Sequence, residues 1–346
     1  MASPDPPPQV GENPPLPWRA RLLLRGVTVL HAAALRRDGT VNRLLLSLFD
    51  RTVPPNATPV DGVASSDHAV SDHLRVRLFT PKDGEKEKEL PMVVYFHGGG
   101  FAFHSASSSR FDALCRRLAS AVPATVASVD YRLAPEHRFP APYDDGEAAL
   151  RWVLAGSILR SPPTAVFVAG DSAGGNVAHH VAARALGAVA GVVAIQPFFG
   201  GEVPTDSELR LRGAPFGAPE RVAWLWRAFL PPGATRDHDA SNVPAAIARR
   251  GGAGGMRTWP PTMVSAGGWD PHQDRQWAYA DALRGAGARV EVREYPDAVH
   301  AFYLFEELQD SKRLLVHVAE FVNRRTEDLK KERAEDGAAA SHQMPV

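Results

Sequence analysis

The sequence predicts an α/β protein: a mostly parallel central sheet with helices on both faces and a helical cap. Three observations carry that expectation. Short, near-continuous apolar runs recur along the chain, as parallel strands covered on both faces require. Stretches of helical period separate most of them, and repeated strand–helix alternation builds a parallel sheet through right-handed crossovers. The alternation breaks once, between Ile195 and Thr262, where a long segment holding Trp224 and Trp226 has the size of an inserted cap.

Taken in order, residues 1–16 hold too many prolines to form a helix or a strand, and read as a disordered tail. Over residues 18–37, Leu22, Leu23, Val27, Leu30 and Ala34 recur at helical spacing. A second short helix is expected over 41–49, ended by Val53-Pro54-Pro55. Residues 17–62 therefore form a helical lid ahead of the first convincing strand. That strand, 73–79, alternates with period two, and 82–89 reads as a charged hairpin loop. Further strands are expected at 92–96, 125–129, 165–169, 189–195, 262–266 and 290–294. Helices are expected at 109–122, 142–155, 173–187, 272–286 and 308–325. The core so defined spans 63–325, with a cap insertion at about 200–257 that includes the glycine-rich stretch 251–255. The charged and then small-residue run 326–346 is expected to fray into a second disordered tail.

Composition narrows the function classes. Across 346 residues, 39 Lys and Arg balance 39 Asp and Glu. A zero net charge argues against broad electrostatic binding to nucleic acid or acidic membranes. A chain of this length buries roughly three quarters of its unfolded surface, so it needs no covalent staples. Cys115 is the only cysteine, which excludes an intramolecular disulfide and suits a reducing compartment. No apolar run reaches the roughly 18 residues of a membrane span. The acidic, proline-rich start lacks the basic and apolar regions of a secretory signal. A cytoplasmic protein is expected, with the nucleus also open to it, and the sequon Asn56-Ala57-Thr58 is expected to stay unglycosylated. No H-x-x-x-H or C-x-x-C spacing is present, so no metal site and no cofactor are expected.

The sharpest local signal is Gly170-Asp171-Ser172-Ala173-Gly174, a G-x-S-x-G pentapeptide between an apolar strand and a helical run. In that setting a serine occupies a strained strand-to-helix turn, and small flanking residues let the backbone pass closely. The start of the following helix favours nearby negative charge. Alone, the pentapeptide reads equally as a glycine-rich turn with an N-cap serine. The second signal is His97-Gly98-Gly99-Gly100-Phe101, after the strand ending at Phe96. Successive glycines leave backbone N–H groups unshielded, free to face a developing oxyanion beside the amide of Ala173. A flexible loop is the alternative, and a phosphate turn is disfavoured because neither nucleotide-binding glycine pattern is present.

A nucleophilic serine needs a base and an orienting acid, in the chain order serine, acid, histidine. Asp270 and His300 both follow strands, where open α/β sheets place their sites. Asp274 and Asp297 are rival acids. Asp274 is expected one turn into a helix, and Asp297 is too near His300 in sequence to reach round the imidazole, so Asp270 is preferred. His97 reads as a loop-shaping hydrogen-bonder, His179 and His180 as packing or surface residues, and Cys115 as an inert core thiol. Phe101, Phe103, Phe198, Trp224, Trp226 and Trp269 are candidates to line an apolar pocket between core and cap, with ordinary core packing as the competing expectation.

Together these motifs resemble the hormone-sensitive-lipase-like branch of the α/β-hydrolases. The resemblance is strongest to the plant carboxylesterases of the gibberellin-receptor-related group, and runs from about Asp38 to Val322. It includes Asp38-Gly-Thr-Val-Asn-Arg43, the stretch 56–63, the HGGGF loop, Asp130-Tyr-Arg-Leu-Ala-Pro-Glu136, Gly170-Asp-Ser-Ala-Gly-Gly-Asn176, Asp270-Pro271 and His300-Ala-Phe302. The resemblance implies a serine carboxylesterase with Ser172 as nucleophile, His300 as base and Asp270 as orienting acid. It maps the oxyanion hole onto Gly98, Gly99 and Ala173, with Gly100 a contender, and the substrate is a small ester. The DYRLAPE segment reads as structural, with Arg132 and Glu136 in buried polar contacts. The receptor branch implies the alternative: a non-catalytic small-molecule receptor whose lid recruits a protein partner. Retention of His300 and of three glycines after His97 favours the enzyme. A lyase or transferase using the same three residues is a third reading.

Overall fold

The computed structural model describes residues 14–82, 90–156, 163–250 and 258–341. The apolar runs assemble into an eight-stranded sheet. Two lid helices come first, α1 (Trp18–Ala34) and α2 (Arg43–Ser47). The strands are β1 (Val63–Ala69), β2 (Arg75–Pro81), β3 (Met92–Phe96), β4 (Thr125–Asp130), β5 (Val166–Asp171), β6 (Gly191–Ile195), β7 (Thr262–Trp269) and β8 (Val290–Val299). They lie side by side in the order β1-β2-β4-β3-β5-β6-β7-β8. β2 pairs antiparallel with both β1 and β4 and every other pair is parallel, so β3, β5, β7 and β8 all deliver their carboxyl ends to one edge of the sheet.

The strands' period of two sorts side chains into two cores. Met92, Val94 and Phe96 of β3 pack with Tyr143 and Leu150 of α4 (Ala141–Leu154), Val177 and Val181 of α5 (Ala173–Arg184), and Leu283 of α9 (Gln273–Gly285). Val93 and Tyr95 face the other way, onto Leu114 and Leu118 of α3 (Ser109–Ala121) and Val318 and Val322 of α10 (Gln309–Ser341). Each fully buried aliphatic side chain contributes about 1.5–3 kcal/mol, so the two layers hold the frame without any crosslink. Cys115 is one of these core groups, and burial pushes its thiol up, away from reactivity. The cap between β6 and β7 carries α6 (Asp206–Arg210), α7 (Pro219–Phe229) and α8 (Val243–Arg250).

Several expected boundaries move. β1 was not expected, because VASSDHA has no apolar alternation; backbone pairing with β2 along seven residues holds it as a polar edge strand. The segment after β2 is not a hairpin loop, since β2 pairs with β4 rather than β3, and residues 83–89 lie outside the described ones. The first tail is not disordered up to residue 16: Leu16 is buried in the second core, while 1–13 lie outside the described residues. At the far end α10 does not fray at residue 326 but continues to Ser341. Leu329 packs on the core, Arg325 pairs with Glu332 at 2.8 Å and Lys330 with Glu327 at 2.8 Å, which extends the helix past the last core turn. The expected glycine-rich stretch 251–255 and the last five residues lie outside the described ones. No described helix is long and apolar enough to cross a membrane.

Candidate active site

Three strand ends converge. Ser172 is the first residue beyond β5, Asp270 the first beyond β7 and His300 the first beyond β8. Ser172 sits at φ 51°, a left-handed conformation that a side chain adopts only when its surroundings impose it. The imposition is local: the Ser172 amide donates to Ile195 O of β6 at 2.9 Å, and α5 starts at the next residue. The turn closes so tightly that a Cβ on Gly174 would overlap the carbonyl of Phe96.

The three side chains form one hydrogen-bonded line. Ser172 Oγ lies 3.0 Å from His300 Nε2, and His300 Nδ1 lies 2.8 Å from Asp270 Oδ2. Asp270 is fully buried and also accepts from the His272 amide at 2.9 Å and from Gln276 Nε2 at 2.8 Å. Burial by itself would raise this carboxyl, but the charge and hydrogen bond of His300, with His272 and Gln276, outweigh burial and hold it below the usual carboxylate range. Asp270 is therefore an ionised acceptor, suited to fix the imidazole's orientation and to stabilise an imidazolium. Neither rival reaches the imidazole: Asp274 accepts the Ser207 amide at 2.7 Å, and Asp297 is exposed.

The glycine loop corrects one expectation. The Gly98 amide donates to Asp171 Oδ1 at 2.9 Å, so it is committed and faces no oxyanion. The amides of Gly99, Gly100 and Ala173 have no hydrogen-bond acceptor among the described residues. Gly99 and Gly100 have φ 122° and 61°, which turns the loop toward the serine. Asp171 itself is buried and also accepts from the hydroxyls of Tyr95 and Tyr303. Burial outweighs these donors and pushes its carboxyl up to about 6. His97 shapes the loop as its position suggested: its ring stacks on Tyr131 at 4.4 Å, and Tyr131 donates to its carbonyl at 2.6 Å.

Above the serine lies a cavity of about 820 Å³, roofed by α1 and α2 and walled by α7, β-strand ends and the segment after His300. Of the six candidate aromatics, Phe103 and Phe198 line it. Phe101 instead stacks on Phe229 at 3.8 Å, Trp226 stacks behind Phe198 at 4.6 Å, Trp269 joins the second core, and Trp224 donates to Arg36 O of the lid at 3.1 Å. The packing alternative thus holds for these four; for Trp224 and Trp226 the reason is that α7 turns that face inward.

The sequence reading missed four residues that this geometry brings in. Gln196, buried at the end of β6, accepts the Ala301 amide at 2.9 Å and donates to Val299 O at 3.1 Å, clasping both neighbours of His300. His272 lines the cavity with its ring 5.3 Å from that of His300, and burial pushes it down to about 4, so it is neutral. His31 of α1 and Arg221 of α7 meet at 3.1 Å in the cavity wall. Only Gln196 had a sequence signal, its place at a strand's carboxyl end. The DYRLAPE segment is structural in part: Arg132 binds the buried Asp145 at 2.8 Å, whereas Glu136 is half-exposed and holds Arg43 of α2 at 3.0 Å.

An esterase from Pyrobaculum calidifontis shares this architecture with a TM-score of 0.69 at 29% identity, over 89% of this chain and 98% of that one. Fold and solved neighbours define the class as the carboxylic ester hydrolases. The chain belongs to the alpha/beta hydrolase fold family, whose sequence model matches residues 93–304. It is 37% identical over 337 residues to the gibberellin receptor GID1 of Oryza sativa subsp. japonica, covering 89% of this chain and 94% of the receptor. It is also 36% identical over 252 residues to probable carboxylesterase 8 of Arabidopsis thaliana, covering 67% of this chain and 76% of that protein.

Proposed function

We propose that the protein is a serine carboxylesterase that hydrolyses small, largely apolar carboxylic esters through an acyl-enzyme. The observation that carries this reading is the continuous line from Ser172 Oγ through His300 to the ionised Asp270, opening into an apolar cavity. His300 Nε2 takes the Ser172 proton as Oγ attacks the ester carbonyl, while Asp270 stabilises the imidazolium and does not itself take the proton. The tetrahedral oxyanion is held by the amides of Gly99, Gly100 and Ala173, each such donor being worth about 3 kcal/mol in the transition state. His300 then returns the proton to the leaving alcohol. Water, activated by the same imidazole, releases the acid and restores Ser172. Ser172 and His300 are buried at the floor of this cavity, which strengthens the electrostatic contacts between them.

Labelling with a fluorophosphonate tests this reading. One equivalent of covalent adduct on Ser172, absent from Ser172→Ala and strongly slowed in His300→Ala, is expected; an unreactive, correctly folded wild type overturns it.

A second reading is favoured by one observation, the likeness to gibberellin receptors combined with a lid helix that itself forms the cavity roof. In that reading the cavity holds a hormone-like small molecule without turnover, and the lid recruits a protein partner. It predicts saturable ligand binding by a wild type as inert toward esters as Ser172→Ala.

A further inference from the structure

Arg221 is out of place as a structural residue. It stands in the first turn of α7, where the helix dipole disfavours a cation. It is only 9% exposed, yet no carboxylate lies within ion-pairing distance among the described residues. Its Nε has no hydrogen-bond partner, and its Nη2 donates to His31 Nδ1 at 3.1 Å. Burial pushes the guanidinium down to about 10, so it remains charged at neutral pH, and a buried charge without a counter-charge is costly. Its face is taken by aromatic rings, Phe216 at 4.7 Å and Phe103 at 6.0 Å, which leaves the N–H edge for an in-plane acceptor. The acids of the same wall are already engaged: Asp50 binds His104 and Ser108, and Asp171 binds two tyrosines and Gly98. Phe216, which the guanidinium covers, lies 5.8 Å from the ring of His300. One aromatic ring therefore separates a vacant cation from the catalytic imidazole.

We propose that Arg221 is a specificity-determining residue, receiving the ionised carboxylate of a lipophilic ester that carries this second acid group about one ring's width from its scissile bond. The inference deepens the hydrolase reading and rests on it for the word ester; the carboxylate site itself does not depend on turnover. The planar guanidinium fork matches a carboxylate in two parallel hydrogen bonds, which an ammonium cannot do. The apolar remainder of the wall accepts the body of the substrate, and His31 fixes the fork from the lid side, so that the lid must be seated for the anion to be held.

Two matched series test the proposal. On the acyl side, p-nitrophenyl half-esters of adipic, suberic and sebacic acids are compared with p-nitrophenyl esters of the monoacids of equal length. On the alcohol side, butyrate esters of ω-hydroxy acids are compared with butyrates of the plain alcohols. In one series at one length the wild type is expected to favour the anionic ester by about tenfold or more in kcat/KM, mainly through KM. Arg221→Met is expected to bring that ratio to about one, and Arg221→Lys to restore part of it. The ratio is read within each variant, so partial loss of folded protein does not disturb it. No anionic preference at any length in either series, or a preference that survives Arg221→Met, overturns the proposal. Calorimetric binding of the intact half-esters to Ser172→Ala and to Ser172→Ala/Arg221→Met separates the two readings. Binding lost with Arg221, in a wild type that hydrolyses nothing, upholds the carboxylate site and removes the hydrolase; arginine-independent binding removes the carboxylate site.

Discussion

The amide of Gly98 donates to Oδ1 of Asp171, fastening the glycine loop to the residue that precedes Ser172. The loop that supplies the oxyanion donors and the turn that supplies the nucleophile are thus one assembly. A Cβ on Gly98 would overlap Asp171 Oδ2, so Gly98→Ala must push loop and carboxylate apart. A fall in kcat of about a hundredfold, with a smaller change in KM, is expected, because the free amides of Gly99 and Gly100 move off the oxyanion position. Steady-state kinetics beside a thermal melt checks this; unchanged kcat would show that the loop is placed without Asp171.

Asp171 also gives a pH dependence whose sign can be stated. Burial comes first among its causes and raises the folded carboxyl to about 6, above the roughly 3.9 of an exposed aspartate. The folded state then binds a proton more tightly than the unfolded state, so this group's contribution is full below about pH 4 and is lost as pH rises through about 6. The loss has an upper size of roughly 3 kcal/mol. Asp270, held below its usual range, slopes the other way. Urea unfolding of wild type and Asp171→Asn between about pH 4 and pH 7 is expected to show their stability difference shifting toward the variant as pH rises. A constant difference would contradict the assignment.

Arg43 is the clamp between lid and core. It forks onto Glu136 and also donates to the carbonyls of Ala134 and Ala102. The ion pair is about half-exposed and by itself is worth at most about 1 kcal/mol. Glu136→Gln is therefore expected to have a small effect. Arg43→Ala removes the carbonyl contacts as well, and is expected to raise KM several-fold with kcat largely kept, since the reacting groups stand on strands. Faster hydrogen exchange in α1 and α2 of Arg43→Ala would accompany it; a change confined to kcat would oppose this view.

The aromatics divide into wall and core. Phe198 lines the cavity, whereas Phe101 is stacked on Phe229 and meets Trp226 at a tilt. Phe101→Ala is expected to lose about 3–5 kcal/mol of stability. Phe198→Ala is expected to shift the preferred acyl length upward. Denaturant melts and a p-nitrophenyl ester series from acetate to octanoate separate the two effects.

The sheet and the serine, histidine and aspartate were legible because each depends on local chemistry. Buried parallel strands must be apolar runs, and a serine elbow needs its glycines next to it in sequence. β1 was not legible, because its place depends on backbone pairing with β2 and on polar contacts such as Asp67 with Arg77 of β2, and not on an apolar run. Which glycine amide is free was equally hidden: Gly98 differs from Gly99 only through a carboxylate 73 residues away. Trp224 and Trp226 share this cause, since composition says that a cap is aromatic but not which way α7 turns. Gln196 and Arg221 carry no motif, and only the convergence of distant segments gives them a role.

Hydrolysis of p-nitrophenyl butyrate by purified wild type, beside Ser172→Ala, His300→Ala and Asp270→Asn, tests the central claim most directly. Turnover by the wild type that falls about 10⁴-fold or more in the serine and histidine variants, and strongly in the aspartate variant, is the predicted result. A folded wild type as inert as Ser172→Ala would contradict it and make the cavity a binding site.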